Sequence, residues 1–171
     1  PRHLSSAASD VYKRQIDTRS LKKGNIFFAI KGLNTDGHKY LVEAEKKGAS
    51  IAFVHKKVRV IKIPQINVKD TSKALLKLAT KYRAQLKTQI VGITGSIGKT
   101  GTKDAINYLL RNEKDIFCSR KSFNNQYGLP LELLNMPRHT KYGFFEIGMN
   151  HSGEIKRLVK VLQPQTAIIL N

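Results

Sequence analysis

The residues Thr94-Gly95-Ser96-Ile97-Gly98-Lys99-Thr100 have the types and spacing to hold a phosphate. A short apolar run, Gln89 to Ile93, breaks there into a glycine-containing loop. Lys99 and Thr100 then open a segment with helical spacing at Ala105, Ile106, Leu109 and Leu110. Such a strand, loop and helix junction aims backbone N–H groups and the positive end of the helix dipole at one point. Lys99 would place a point charge on the β- and γ-phosphates of ATP, and the Thr100 hydroxyl would be a ligand for Mg²⁺. The common form G-x-x-x-x-G-K-[ST] is not met, because Ile93 stands where its first glycine belongs; the shorter T-G-x-x-G-K-T form is. The alternative is a glycine turn beside a surface lysine.

Glu146 lies in the apolar run Gly143-Phe144-Phe145-Glu146-Ile147, where an unpaired carboxylate would be expensive to bury. A metal or cationic partner removes that cost, and a carboxylate closing a second strand is where a phosphate-loop enzyme holds Mg²⁺. The other reading is an edge-strand glutamate facing water. His151 follows in a loop that enters a helix through Ser152, Gly153 and Glu154. A loop histidine is more often a surface residue than a ligand. Asn124 and Asn125 sit in the polar stretch Ser122 to Gly128, and adjacent asparagines mark a turn more often than a site.

The elements that must position these groups alternate between strand and helix. Residues 1–15 are polar and aperiodic and read as a non-native or disordered leader. Ile26 to Ile30 is a strand. His38 to Lys47 is a helix with Tyr40, Leu41 and Ala44 inward, stopped by Gly48. Ile51 to Val54 is a buried strand, and Ile61 to Val68 an extended stretch that Pro64 confines to an edge or a loop. Asp70 or Thr71 caps a helix with Leu75, Leu78, Ala79, Tyr82 and Leu86 on one face. That order implies a small α/β domain over residues 16–87.

A second domain, residues 88–171, continues with strands at Asp115 to Cys118, Gly143 to Ile147 and Thr166 to Leu170, the last reading as buried. Helices follow at Leu129 to Leu134 and Glu154 to Leu162. The expectation is an α/β chain whose P-loop domain holds a mostly parallel sheet with helices on its faces. Ligands of such sheets bind beyond the carboxyl ends of the strands, where the phosphate loop, Glu146 and Asn171 fall.

Composition narrows the classes. A formal charge of +19 would suit nucleic acid, but the lysines and arginines are scattered, with no aromatic interleaving to stack bases. A solvated basic surface that attracts anionic nucleotides is the simpler account. Cys118 is the one cysteine, so no internal disulfide forms and a reducing cytoplasm fits. No apolar run approaches the roughly 18 residues of a transmembrane helix. The chain begins at Pro1 without an initiator methionine and ends on a strand-like run, which reads as a piece of a longer protein.

Taken together the motifs resemble the Mur ligases, ATP-dependent amide-forming enzymes of bacterial cell-wall precursor synthesis. The phosphate loop resembles the family's T-G-[TS]-x-G-K-T. Asp17-Thr18-Arg19-Ser20, Gly24 to Gly32 and Asp36-Gly37-His38 are similar to the UDP-binding N-terminal domain of two members. Asn124 to Leu131 and Glu146 to Ile155 resemble N-N-E-x-G-x-P-L and E-x-G-x-N-H-P-G-E-I of one of those two.

By that resemblance Thr18, Arg19, Asp36, Gly37 and His38 bind the UDP part of the substrate. Thr94, Gly95, Ser96, Gly98, Lys99, Thr100, Asn124 and Asn125 bind ATP, and Thr100, Glu146 and His151 the metal. Lys99, Glu146 and His151 serve catalysis. The implied reaction joins D-alanyl-D-alanine to UDP-N-acetylmuramoyl-tripeptide through an acyl phosphate, in a truncated central domain, with no specific nucleic acid partner. The sister ligase that adds the third peptide residue shares the first-domain motif and the loop, and a basic nucleic-acid-binding module is the competing class.

Overall fold

The computed structural model describes residues 13–32, 35–120, 123–148 and 153–171. The chain divides into two compact units, one running to Leu75 and the other from Leu76.

In the first unit β1 (Arg14–Gln15), β2 (Ile26–Phe28), β3 (Ile51–Val54) and β4 (Gln65–Asn67) lie side by side in that order, all parallel. Parallel neighbours need a crossover, and α1 (Leu41–Lys46) supplies the one between β2 and β3. Phe27, Ala52 and Val54 of the sheet form a core with Leu41 and Ala44 of α1 and with Leu21, Ala29, Ala49 and Ile61. Phe28 stacks on Phe53, with 4.5 Å between ring centroids. Pro64 immediately precedes β4, which lies at the sheet edge as expected.

Two expectations change here. The helix opens with a tighter 3-10 turn, Gly37–Tyr40, which shifts the phase of its first residues and leaves Tyr40 exposed while Leu41 and Ala44 point inward. The leader does not extend through Gln15: Arg14 and Gln15 pair with Ile26 and Phe27, and the Gln15 side chain is buried, accepting a hydrogen bond from Ser20 Oγ. Residues 1–12 lie outside the described residues.

The helix α2 (Thr71–Arg83) follows. Asp70 caps it, its Oδ1 accepting the Lys73 N–H, while the buried Thr71 hydroxyl donates to the Ala29 carbonyl.

The second unit is built on β5 (Gln89–Gly95), β6 (Ile116–Cys118), β7 (Tyr142–Glu146) and β8 (Thr166–Leu170), in the order β6-β7-β5-β8 and again all parallel. Its helices are α3 (Lys99–Leu109), α4 (Gly128–Asn135) and α5 (Glu154–Leu162). The core takes Ile90 and Ile93 from β5, Phe145 from β7, Leu129, Leu131, Leu133 and Leu134 from α4, and Leu158 and Leu162 from α5. No helix among the described residues is long and apolar enough to cross a membrane.

The structure departs from the sequence pattern at β8 and α3. β8 was expected to be buried, but it lies at a sheet edge, pairs with β5, and leaves Ile169 80% exposed. On α3, Leu109 is 74% exposed and Ala105 is also exposed, while the side chain turned inward is Lys103.

Arg83, at the end of α2, is a buried guanidinium that faces carbonyls. Its Nε donates to Leu162 O at 2.7 Å and its Nη2 to Gln163 O at 3.1 Å, at the C-terminus of α5, where a cation also meets the negative end of the helix dipole. Burial pushes this guanidinium below its ordinary range, yet an arginine keeps its charge in proteins. Arg83→Met, which keeps the stem and removes the donors, should cost about 1.5–3 kcal/mol of unfolding free energy. A denaturant titration checks it: an unchanged midpoint would show that the carbonyls find other partners at no cost.

Candidate active site

Because every strand of the second sheet runs the same way, the carboxyl ends of β5, β6, β7 and β8 share one edge. The register sets Ile93 beside Glu146 and Gly95 beside Leu170. Thr94 fastens that edge, its hydroxyl donating to the Ile147 carbonyl at 3.2 Å.

The phosphate loop is shaped by backbone. Gly95 has φ +140°, and a Cβ there would collide with the Leu170 carbonyl oxygen, so both the conformation and the space demand glycine. The Ile97 N–H donates to Asn171 O at 3.0 Å, which fixes the loop against the end of β8. Gly98, with φ +85°, is the N-cap of α3, and no side chain caps that helix. Ser96 is exposed. Lys99 folds over the loop, its Nζ donating to Gly95 O at 2.6 Å and Ser96 O at 3.2 Å.

Glu146 is the centre of the site. It is 2% exposed on a strand flanked by two others, so the edge-strand reading is excluded. Its Oε2 accepts the Thr100 hydroxyl at 2.9 Å and its Oε1 accepts Asn124 Nδ2 at 2.7 Å. Its backbone N–H donates to Ser119 Oγ at 3.3 Å. Lys103 Nζ lies 4.0 Å from Oε2. A buried carboxylate and a hydroxyl on one point are hard oxygen donors, a set that fits Mg²⁺.

The two asparagines separate in role. Asn124 reaches the carboxylate, and its carbonyl receives the Gly148 N–H at 2.9 Å. Asn125 is a turn residue: its Oδ1 accepts the N–H groups of Tyr127 and Gly128 where α4 begins. The loop carrying both is anchored by Arg120, whose backbone N–H and guanidinium bond the wholly buried Glu132 of α4. Burial pushes the Cys118 thiol of β6 up to about 11, so it stays protonated near neutral pH and is a poor nucleophile. His151 lies outside the described residues, as do Met149, Asn150 and Ser152.

In the first unit two turns are built alike. Asp17 accepts the Arg19 N–H and Asp36 accepts the His38 N–H, each at 2.9 Å. Arg19 also forks onto Asp17 through Nε and Nη2, and its side chain is 88% exposed. The Arg19 side chain holds the Asp17 carboxyl below its usual range. The His38 backbone N–H does the same for Asp36. Depressed carboxylates stabilise the fold above the unfolded value and lose that contribution as pH falls through the folded one.

His38 has both ring nitrogens engaged: Nδ1 lies 2.7 Å from Asp36 Oδ1, and Nε2 accepts the His55 N–H at 3.1 Å. That assigns the proton to Nδ1. Asp36, His38 and His55 offer donor atoms within 4.8 Å of one another, but a metal on Nδ1 would require a proton on Nε2, facing the His55 N–H. What the structure shows there is a hydrogen-bonded turn that holds the imidazole between a carboxylate and a backbone N–H. Gly37 is required by packing, since a Cβ there would stand 2.7 Å from Ile30 N, and Thr18 is buried with its carbonyl bonded by Lys47 Nζ.

Sequence reasoning missed Lys103, Ser119 and the Arg120–Glu132 pair. A signal existed for two of them: Lys103 stands one turn after Lys99, and Glu132 interrupts a run of leucines.

Residues 93–171 match the Mur ligase middle domain, and residues 11–83 match the Mur ligase family catalytic domain. The UDP-N-acetylmuramoyl-tripeptide–D-alanyl-D-alanine ligase of Rickettsia prowazekii is 43% identical over 92% of this chain and 35% of its own length. That of Haemophilus influenzae is 36% identical over 94% of the chain and 36% of its own length. The chain thus spans about a third of the curated relatives it matches.

Among solved structures, MurF from Acinetobacter baumannii matches with a TM-score of 0.81 and 32% identity, over 94% of this chain and 36% of that one. MurF from Thermotoga maritima, in complex with ADP, matches with 0.78 and 31%, over 95% and 38%. A diaminopimelate-adding ligase matches with 0.51 and 16%, over 92% and 36%, a likeness of fold alone. With both matched stretches carrying the fold and the loop just described, this chain belongs to the Mur ligase family.

Proposed function

We propose that the two units serve an ATP-dependent ligase that joins D-alanyl-D-alanine to UDP-N-acetylmuramoyl-tripeptide in the cytoplasm. The observation that carries this reading is the buried Glu146 carboxylate, bonded to the Thr100 hydroxyl beside a glycine-framed phosphate loop. The names of the relatives supply the substrates. The sister ligase has less support, because its likeness is one of fold.

In this reading residues 88–171 form the nucleotide-binding domain. The backbone from Thr94 to Gly98 and Lys99 receive the phosphates, while Thr100 and Glu146 hold Mg²⁺ with His151 as a candidate third ligand. Bound Mg²⁺ would neutralise phosphate charge and orient the γ-phosphoryl group for transfer to the substrate carboxylate. Lys99 adds a point charge, and Asn124 keeps Glu146 aimed at Thr100. Asn125 shapes the turn on the substrate side. The first unit forms the substrate domain, with Arg19 the exposed cation for a diphosphate and Thr18, Asp36, Gly37 and His38 framing its two turns. The basic surface serves anionic substrates rather than nucleic acid.

In the full-length protein, Lys99→Ala should lower ATP turnover by roughly a hundredfold or more with an unchanged circular dichroism spectrum. Glu146→Gln should raise the Mg²⁺ concentration needed for nucleotide binding by about tenfold or more, because a hard anionic ligand is lost while the shape is kept. Undiminished turnover in the first variant would remove the loop from the mechanism, and an unmoved Mg²⁺ titration in the second would return Glu146 to a structural role.

The first unit is tested separately by calorimetry with UDP. Binding heat should be present in the parent and lost in Arg19→Ala, and a folded parent that binds no UDP would sink the substrate-domain assignment.

A further inference from the structure

Lys103 has no place in the reaction just described, yet it is the inward residue of α3. It is 2% exposed, a burial that lysines rarely reach without a partner. Among the described residues, Asp104 Oδ1 lies 3.4 Å from its ammonium and Glu146 Oε2 4.0 Å. The Asp104 side chain is 66% exposed, so water screens that pair. Glu146 is as buried as Lys103, and charges in the interior are screened far less. At 4.0 Å the attraction to Glu146 is Coulombic rather than a hydrogen bond. It acts on Oε2, the oxygen that accepts the Thr100 hydroxyl.

We propose that Lys103 is a positioning residue and built-in counter-ion for Glu146, holding the carboxylate beside Thr100 in the metal-free protein and weakening the divalent cation that takes its place. The inference rests on the reading of Thr100 and Glu146 as metal ligands. A cation on those two oxygens comes close to a fixed ammonium and is repelled by it. The metal is then held loosely by the protein alone and tightly only with the added charge of a nucleotide's phosphates. Such a site exchanges its metal together with the nucleotide. The ammonium meanwhile offsets the cost of a lone buried carboxylate.

The test uses the full-length protein, with MgCl2 and a fluorescent ADP analogue as probes. Two quantities are read: the thermal midpoint in EDTA and in Mg²⁺, and the Mg²⁺ concentration at half-maximal binding of the analogue. Lys103→Met should lower the midpoint in EDTA, regain most of the loss in Mg²⁺, and bind Mg²⁺ about tenfold more tightly. Lys103→Arg, which keeps the charge, should stay near the parent in the Mg²⁺ titration. If Lys103→Met folds only in Mg²⁺, the counter-ion role stands. Equal loss of stability with and without Mg²⁺, failure to fold in both, or an unmoved Mg²⁺ titration would overturn it, leaving Lys103 a packing residue. Glu146→Gln separates the two ideas. If it shifts the Mg²⁺ titration and Lys103→Met does not, only the role of Lys103 fails; if neither does, the metal-ligand reading fails first.

Discussion

A carboxylate taken out of water inside a parallel sheet needs donors on its oxygens, and the second unit of this protein is arranged around that need at Glu146. The strand order sets β7 between β6 and β5, so the side chain at its end is enclosed by the segments that leave the neighbouring strands. One of them brings Thr100 on the first turn of α3, and another brings Asn124 after β6. Each hydrogen bond to an ionised group is worth about 1.5–3 kcal/mol, and each also fixes where a helix or a loop begins. The same carboxylate thus sets the geometry of the phosphate-loop helix and of the asparagine turn.

The first unit meets a related problem with smaller means. Its two polar turns, at Asp17 and Asp36, leave N–H groups that a local carboxylate satisfies two residues on. One turn presents an exposed guanidinium; the other locks an imidazole between a carboxylate and a backbone N–H. Both turns are held by hydrogen bonds within themselves, so their polar side chains are displayed in a pre-formed arrangement beside the parallel strands.

Much of this was legible in the residues. Strands such as Ile51–Val54 and Thr166–Leu170 and the helix Glu154–Leu162 stand where the pattern put them, because apolar runs bounded by turn residues have few other uses. The phosphate loop was readable because glycine, lysine and threonine in that spacing serve backbone geometry and charge at once. What could not be read was the inward face of α3: apolar spacing pointed to Ala105 and Leu109, whereas burial chose Lys103 for a charge lying across the sheet. Periodicity registers hydrophobic faces and is blind to a buried ion pair. Arg83 was hidden for a related reason, since its partners are backbone carbonyls at the end of a helix far along the chain, which no side-chain pattern marks. The two asparagines read alike in sequence, and only the tertiary fold separates the one on Glu146 from the one that starts α4.

The close approach of Gly95 to Leu170, with the Ile97 N–H on Asn171, makes the phosphate loop a non-local object. Its floor is supplied by β8, the last of this sheet's four described strands to be synthesised. A chain emerging N-terminus first can form β5 and α3 early by local contacts, but the loop between them stays without a mould until β8 docks. The loop therefore takes its final shape only when β8 is in place, and its geometry depends on a strand that local contacts alone cannot supply.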